Sequence, residues 1–269
     1  MTEPRQAATV LLLRDGTPGL EVYLLRRTKG MPFAGGMTAY PGGGVDPRDG
    51  GTDLAWAGPS PAEWGRAFGC DEVIARELVC AAVRETFEEA GVLLAGPTAD
   101  TVVADTTGDD WERDRHALEA RELSFTAFLE RRGLALRTDL MRLWGSWVTP
   151  VFEPRRFNAR FFVAELPEGQ VTRDVSTESD EVVWLPVRDA LRAVDEHRML
   201  MLPPTYCTCL EIYDLSRPEE VLAAAETRDL APVEPEAVLD EAGAYLSIPE
   251  HLVRLGEDVA ARIAAGDAR

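Results

Sequence analysis

The 269-residue chain has no run of eighteen or more apolar residues, so no segment of it reads as a transmembrane helix. Its first residues lack a basic stretch followed by an apolar one, so no secretory signal is read there. Cysteine is scarce. Cys70, Cys80, Cys207 and Cys209 do not make a disulfide framework in a chain this long, and Cys207-x-Cys209 lacks a second ligand pair for zinc, so all four are expected as reduced thiols. Basic residues are outnumbered, 28 Lys and Arg against 47 Asp and Glu, for a formal net charge of −19. So acidic a surface argues against nucleic acid as a partner, because phosphate backbones are bound by basic stripes. A polyanionic substrate would have to be met by a local basic pocket plus a cation. No internal repeat or low-complexity linker is present, and Gly266-Asp267-Ala268-Arg269 carries no Ser-Lys-Leu address. With 45% apolar residues the chain can bury one substantial core, and the expectation is a cytoplasmic protein with no membrane partner, a homodimer staying open.

Against these absences stands Arg84-Glu85-Thr86-Phe87-Glu88-Glu89-Ala90-Gly91-Val92. At about 3.6 residues per turn, Glu85, Glu88 and Glu89 fall at i, i+3 and i+4, so their carboxylates share one patch of a helix. Like charges so placed repel, and a hard cation that takes carboxylate oxygens, such as Mg²⁺ or Mn²⁺, would offset the repulsion. The alternative is a solvated acidic face. Arg84 lies i, i+4 from Glu88 and suits a role orienting that carboxylate. Upstream, Tyr40-Pro41-Gly42-Gly43-Gly44-Val45-Asp46 supplies a glycine-rich turn where backbone can approach a ligand closely.

The rest of the pattern is mixed α/β. Ala7 to Leu13 and Leu20 to Arg26 read as a hairpin about Arg14–Gly19, and Met37 to Tyr40 as a short strand entering the glycine turn. A helix is expected from about Asp71, its cap, to Ala90, with Gly91 closing it. A further helical pattern runs from Asp110 to Arg132, with Trp111, Leu118, Phe125, Phe128 and Leu129 as buried positions. Leu143 to Phe152, Arg160 to Leu166 and Glu181 to Leu185 return to strand character, and Pro186 to Asp195 is helical. From Leu202 onward, short helices and a less regular tail are expected.

The glycine turn and the Arg-Glu-x-x-Glu-Glu-x-Gly run together resemble the Nudix signature, G-x5-E-x7-R-E-U-x-E-E-x-G-U with U apolar. Gly43 matches the leading glycine, and Arg84, Glu85, Glu88, Glu89, Gly91 and Val92 match the second half. Two departures stand out: an insertion of about thirty residues, Asp46 to Cys70, and a middle Glu that, counted back from Arg84, falls on Arg76 with Glu77 one place later. Thr86 also replaces an apolar residue. The interruption is similar to that of the peroxisomal-type coenzyme A and acyl-coenzyme A diphosphatases. Met31-Pro32, Pro41-Gly42-Gly43 to Asp49, Trp147-Val148-Thr149-Pro150, Arg155-Arg156-Phe157 and Leu202-Pro203-Pro204 look like that branch in the same order.

This resemblance implies an α/β/α sandwich with a mixed sheet, in the α/β (α+β) class, with a helical insertion and a C-terminal helical extension. Residues 1–212 would form the Nudix domain, with insertions at about 46–70 and 100–140, and 213–269 the extension. It implies hydrolysis of a nucleoside diphosphate linkage with Mg²⁺ or Mn²⁺, coenzyme A or acyl-coenzyme A giving 3′,5′-ADP and (acyl-)phosphopantetheine. ADP-ribose, NADH or a nucleotide sugar is the alternative small-molecule nucleotide substrate, and a non-catalytic nucleotide sensor the alternative of another class. The metal would rest on Glu85, Glu88, Glu89 and the Gly43 carbonyl, with Arg84 beside them. Glu178 is the expected further metal or base carboxylate, Glu181 its rival, and Glu77 a stand-in for the middle Glu. Arg27, Thr28, Arg155, Arg156 and Phe157 are expected at the substrate, arginine because its planar fork suits phosphate. Trp147 and Phe157 suit either adenine stacking or the core.

Overall fold

In the computed structural model, which describes residues 3–51, 54–240 and 243–266, the chain opens with a hairpin of β1 (Arg5–Gly16) and β2 (Gly19–Arg27). Short strands β3 (Thr38–Ala39), β4 (Gly42–Gly44) and β5 (Trp56–Ala57) lead to helices α1 (Pro61–Phe68) and α2 (Glu72–Ala90). The middle of the chain holds β6 (Ala95–Gly96), α3 (Asp109–Glu119), α4 (Phe125–Arg132), β7 (Ala135–Arg137), β8 (Met141–Val148), β9 (Phe157–Glu165) and β10 (Ser179–Pro186). After it come α5 (Val187–Asp195), α6 (Pro203–Glu211), α7 (Pro218–Ala225), the hairpin β11 (Glu236–Asp240) and β12 (Gly243–Ser247), and α8 (Glu250–Ala264).

The main sheet has the order β10-β2-β1-β9-β8, with β3 on β2 and β4 on β1. Only β1 and β9 run parallel; the other pairings in it are antiparallel, which makes the sheet mixed. β1 is apolar on both faces because both are covered. Ala8 and Val10, with Phe162 and Ala164 of β9, face Leu78, Val79 and Ala82 of α2. Leu11 and Leu13, with Phe161 and Val163, face Leu191, Cys207, Leu210, Val221, Leu252 and Val259 of the C-terminal helices. The α/β/α layering expected from the sequence is therefore present, and α5 to α8 share a core with the sheet.

α2 forms where its signals place it. The Asp71 carboxylate accepts from the N–H groups of Val73 and Ile74, and Gly91 closes the helix in the left-handed conformation at φ 71°. Three expectations need correction. The helical pattern of 110–132 is two helices, because the chain turns at Arg121 (φ 58°) and Ser124 caps a second start through the Ala127 N–H. Leu118 of the first helix and Phe125, Phe128 and Leu129 of the second all enter the core on the α2 side. The strand expected over 143–152 ends at Val148, and Val151 and Phe152 are exposed. The tail is also more regular than expected, with the β11–β12 hairpin and the fifteen-residue α8. The chain-end address read at 267–269 lies outside the described residues.

Candidate active site

β4 lies across the C-terminal half of α2, and two side chains of that helix fasten it. The Glu89 carboxylate accepts from the Gly42 N–H at 2.8 Å, and Arg84 Nη2 donates to the Gly44 carbonyl at 2.9 Å. Between them Gly43 sits directly on Glu85: a Cβ there would stand 2.5 Å from the Glu85 carboxyl carbon. Glycine at 43 is thus a matter of close approach rather than of a turn.

Arg84 is the hub of the cluster. Its Nη1 donates to Glu85 Oε1 at 2.7 Å and to Glu88 at 3.3 Å, and its Nε and Nη2 donate to Asp49 at 3.1 Å. Asp49 is 1% exposed, and its carboxylate also accepts from the Asp46 N–H in the turn that follows the glycines. Sequence reasoning missed this residue, although its signal was available. Counted forward from Gly43 the Nudix spacing lands on Asp49; counted back from Arg84, across the insertion, it lands on Arg76. The insertion lies between Asp49 and α2, and the fold rejoins the pair. Against Arg84 the place of the middle Glu is held by Asp49, whereas Glu77 sits near Gly50, where the charge of Asp49 reaches it.

The electrostatics follow from four carboxylates largely removed from water, three of which, on Asp49, Glu85 and Glu88, share one guanidinium. Burial raises the Glu85 and Asp49 carboxyls above their ordinary range against the pull of Arg84. Burial, then Glu85, pushes Glu88 up to about 7. Glu89 is raised well above the usual range by burial and by Glu85, against the Gly42 N–H and Arg27. Burial opposes the charge on Arg84, but Glu85, Asp49 and Glu88 outweigh it and hold the guanidinium above its ordinary value. Among the described residues no three acidic, His or Cys side chains already converge as a metal site. Arg84 stands among the carboxylates, and Glu89 is turned to the Gly42 N–H. The donor set, oxygen only and with negative charge in excess, still fits a hard divalent cation.

Glu178 comes to this cluster from the loop before β10. Its charge acts on both Glu85 and Glu89, its carboxylate lies 3.8 Å from Arg27 Nη2, and its carbonyl accepts from the Thr28 N–H at 2.9 Å. Arg27 and Thr28 therefore stand beside the cluster, and Arg27 Nε is buried with no hydrogen-bond partner. Glu181 does not join them: past the irregularity at Ser179–Glu181 it pairs with Arg26 at 2.9 Å on the exposed side.

The second basic group is split. Arg155 is exposed, whereas Arg156 is buried and bound to the Thr149 carbonyl and the Glu234 carboxylate, so it ties the tail to the sheet rather than meeting a substrate. Phe157 packs its ring on Phe33 with centroids 5.1 Å apart, and Trp147 is core, 6% exposed. No helix among the described residues is long and apolar enough to cross a membrane.

The family model of the NUDT19 Nudix domain matches residues 65–217, more than half of the chain. The chain belongs to the NUDT19 Nudix domain family. The match begins after Gly43 and Asp49, so the front half of the box in this Nudix domain is identified by its contacts with α2. The chain is 25% identical to the acyl-coenzyme A diphosphatase NUDT19 of Xenopus laevis, over 76% of this chain and 61% of that protein. It is 24% identical to the putative nudix hydrolase 7 of Caenorhabditis elegans, over 81% of this chain and 61% of that protein. It thus spans 61% of the length of both curated relatives. The crystal structure of a NUDIX hydrolase from Alicyclobacillus acidocaldarius superposes with a TM-score of 0.69 at 28% identity, covering 86% of this chain and all of that one.

Proposed function

We propose that this Nudix domain hydrolyses the diphosphate bond of coenzyme A or an acyl-coenzyme A, releasing 3′,5′-ADP and (acyl-)phosphopantetheine. The observation that carries the reading is the excess of carboxylate at the end of α2, held against Gly43: Arg84 alone pairs with Asp49, Glu85 and Glu88, and Arg27 reaches Glu89 only through its charge. A structural cluster would pair its charges, because unpaired buried charge is costly. An excess of acid built around a close-packed glycine suits a divalent cation.

Glu85, Glu88 and Glu89 would hold Mg²⁺ or Mn²⁺, the Gly43 carbonyl adding an oxygen. Such a cation polarises a phosphoryl oxygen and offsets the charge of a diphosphate. Arg84 orients Glu85 and Glu88, and Asp49 fixes Arg84 from the other side. Glu178, half-exposed beside Glu85 and Glu89, would accept a proton from water at the reacting phosphorus. Arg27, with a donor to spare, suits a substrate phosphate oxygen; Arg156, engaged by Glu234, does not. The name of the Xenopus laevis relative supports coenzyme A over other nucleoside diphosphates.

The test is turnover with Mg²⁺ or Mn²⁺ across coenzyme A, acetyl-coenzyme A, ADP-ribose, NADH and a nucleoside triphosphate, beside a Glu88→Gln, Glu89→Gln double variant. Metal-dependent release of 3′,5′-ADP from coenzyme A, lost in the variant, is the expected result. Turnover of ADP-ribose or NADH instead would keep the hydrolase and overturn the coenzyme A reading. Tight binding of one of these nucleotides without turnover would make the domain a sensor.

A further inference from the structure

α3 belongs to an insertion that supplies none of the groups placed at the cluster, yet one stripe of it reaches the site from behind. Glu112, Arg115 and Glu119 lie at i, i+3 and i+7, along one side of the helix. Arg115, 1% exposed, donates from Nη1 to the backbone carbonyl of Glu88 at 2.9 Å and to Glu119 Oε2 at 3.2 Å. The other oxygen of Glu119 accepts from the Thr177 N–H at 3.2 Å and the Thr177 hydroxyl at 2.5 Å. Glu112 pairs with Arg173, whose own N–H donates to the Ala90 carbonyl at 3.0 Å. The loop carrying Glu178 is thereby tied at 173 and 177 to the helix that carries Glu85, Glu88 and Glu89, with α3 between.

We propose that α3 is a brace that positions Glu178 against the α2 carboxylates, Glu119 being the positioning residue and Arg115 its link to α2. The inference rests on the reading in which Glu178 serves metal-dependent diphosphate hydrolysis. Glu178 is held on both flanks, by Glu119 through Thr177 and by the Thr28 N–H at its own carbonyl. Thr177 is exposed, so its bonds to Glu119 add little to global stability. What they fix is the backbone immediately before Glu178, and groups behind a metal site that orient its ligands change turnover without touching substrate.

A double-variant cycle tests this, read as kcat and KM for coenzyme A with Mn²⁺ and as Tm. Glu119→Ala and Thr177→Val are each expected to lower kcat about ten-fold, with KM and Tm little changed. Thr177→Ser, which keeps the hydroxyl, restores most of the rate. In a Glu178→Gln background Glu119→Ala adds no further loss, because it acts through that carboxylate. An additive loss in the double variant, a fall in Tm with kcat unchanged, or a Glu178→Gln variant as active as the parent would overturn the brace while leaving the hydrolase reading intact. Absence of turnover on every diphosphate would instead overturn the hydrolase reading. Mn²⁺ affinity, measured by electron paramagnetic resonance, then decides the brace: Glu119→Ala must weaken it in the parent and not in the Glu178→Gln background.

Discussion

On the side of the sheet covered by α5 to α8, buried polar groups meet partners of matching capacity. Arg228 lies over the Trp144 ring and pairs with Glu211 at 2.6 Å, and Glu211 also accepts from the Trp144 indole. The Tyr40 hydroxyl sits between Thr208 and Cys209 at 3.0 Å from each. On the α2 side the balance is broken, with Asp49, Glu85 and Glu88 sharing Arg84 and Glu89 held by a backbone N–H. The Arg228–Glu211 pair keeps more contact with water, at 23% and 16% side-chain exposure against 1–13% around Arg84, so the less exposed region is the one that carries the excess of charge. Where the fold needs only stability, charges come in pairs; where they are left in excess, the arrangement must answer to something beyond folding.

The contrast is sharpest in what a charge-neutralising variant does. The Glu88→Gln, Glu89→Gln pair is expected to lower metal-dependent turnover about a thousand-fold or more, while Tm holds or rises as repulsion is relieved, a stability gain at the expense of activity. Assay and thermal melt on the same preparation decide it, and a large fall in Tm would show the cluster to be structural after all. Next comes Arg84→Ala, which removes the guanidinium that Asp49, Glu85 and Glu88 share. Its expected cost is about 3–5 kcal/mol in denaturant unfolding, and excess Mg²⁺ should recover part of it because only the folded state binds the ion tightly. On the opposite face Leu252→Ala should cost about 2–5 kcal/mol of stability through its cavity, with kcat per folded molecule unchanged.

A pH scan separates the two faces more gently. Burial, then Glu85, raises the folded pKa of Glu88 to about 7 from its ordinary value of 4.5. The folded state then binds the proton more tightly than the unfolded state does. The Glu88 contribution to the stability of the metal-free protein should fall as pH rises from about 4.5 to about 7 and be gone above that, with Glu85, Glu89 and Asp49, raised as well, acting in the same direction. Metal must displace that proton, so apparent Mn²⁺ affinity should climb over the same window; a titration flat with pH would show that Glu88 carries no such proton. The smallest effect belongs to the carboxylates left outside the cluster. Glu77→Gln and Glu181→Gln should stay within about 0.5 kcal/mol of the parent in stability, with turnover preserved.

Much of this was written in local pattern. The apolar stretches of β1 and β2, the Asp71 cap, the Gly91 stop and the i, i+3, i+4 spacing of Glu85, Glu88 and Glu89 depend on residues within a few turns of one another, so sequence alone determines them. The break at Ser124 was legible as a cap but hidden beneath a continuous helical period. Asp49 was hidden differently. Its partner Arg84 lies 35 residues on, and a spacing rule counted across an insertion fails from one side. Arg155 and Arg156 are adjacent and chemically alike in the sequence, yet one is exposed and the other spent on Glu234, a partner 78 residues away. The choice between Glu178 and Glu181, and the tie from α3 through Glu119 to Thr177, are likewise the work of tertiary structure. Helix periodicity and capping are local energies, whereas the pairing of a charge is settled only when distant segments are brought together out of water, where leaving it unpaired is costly.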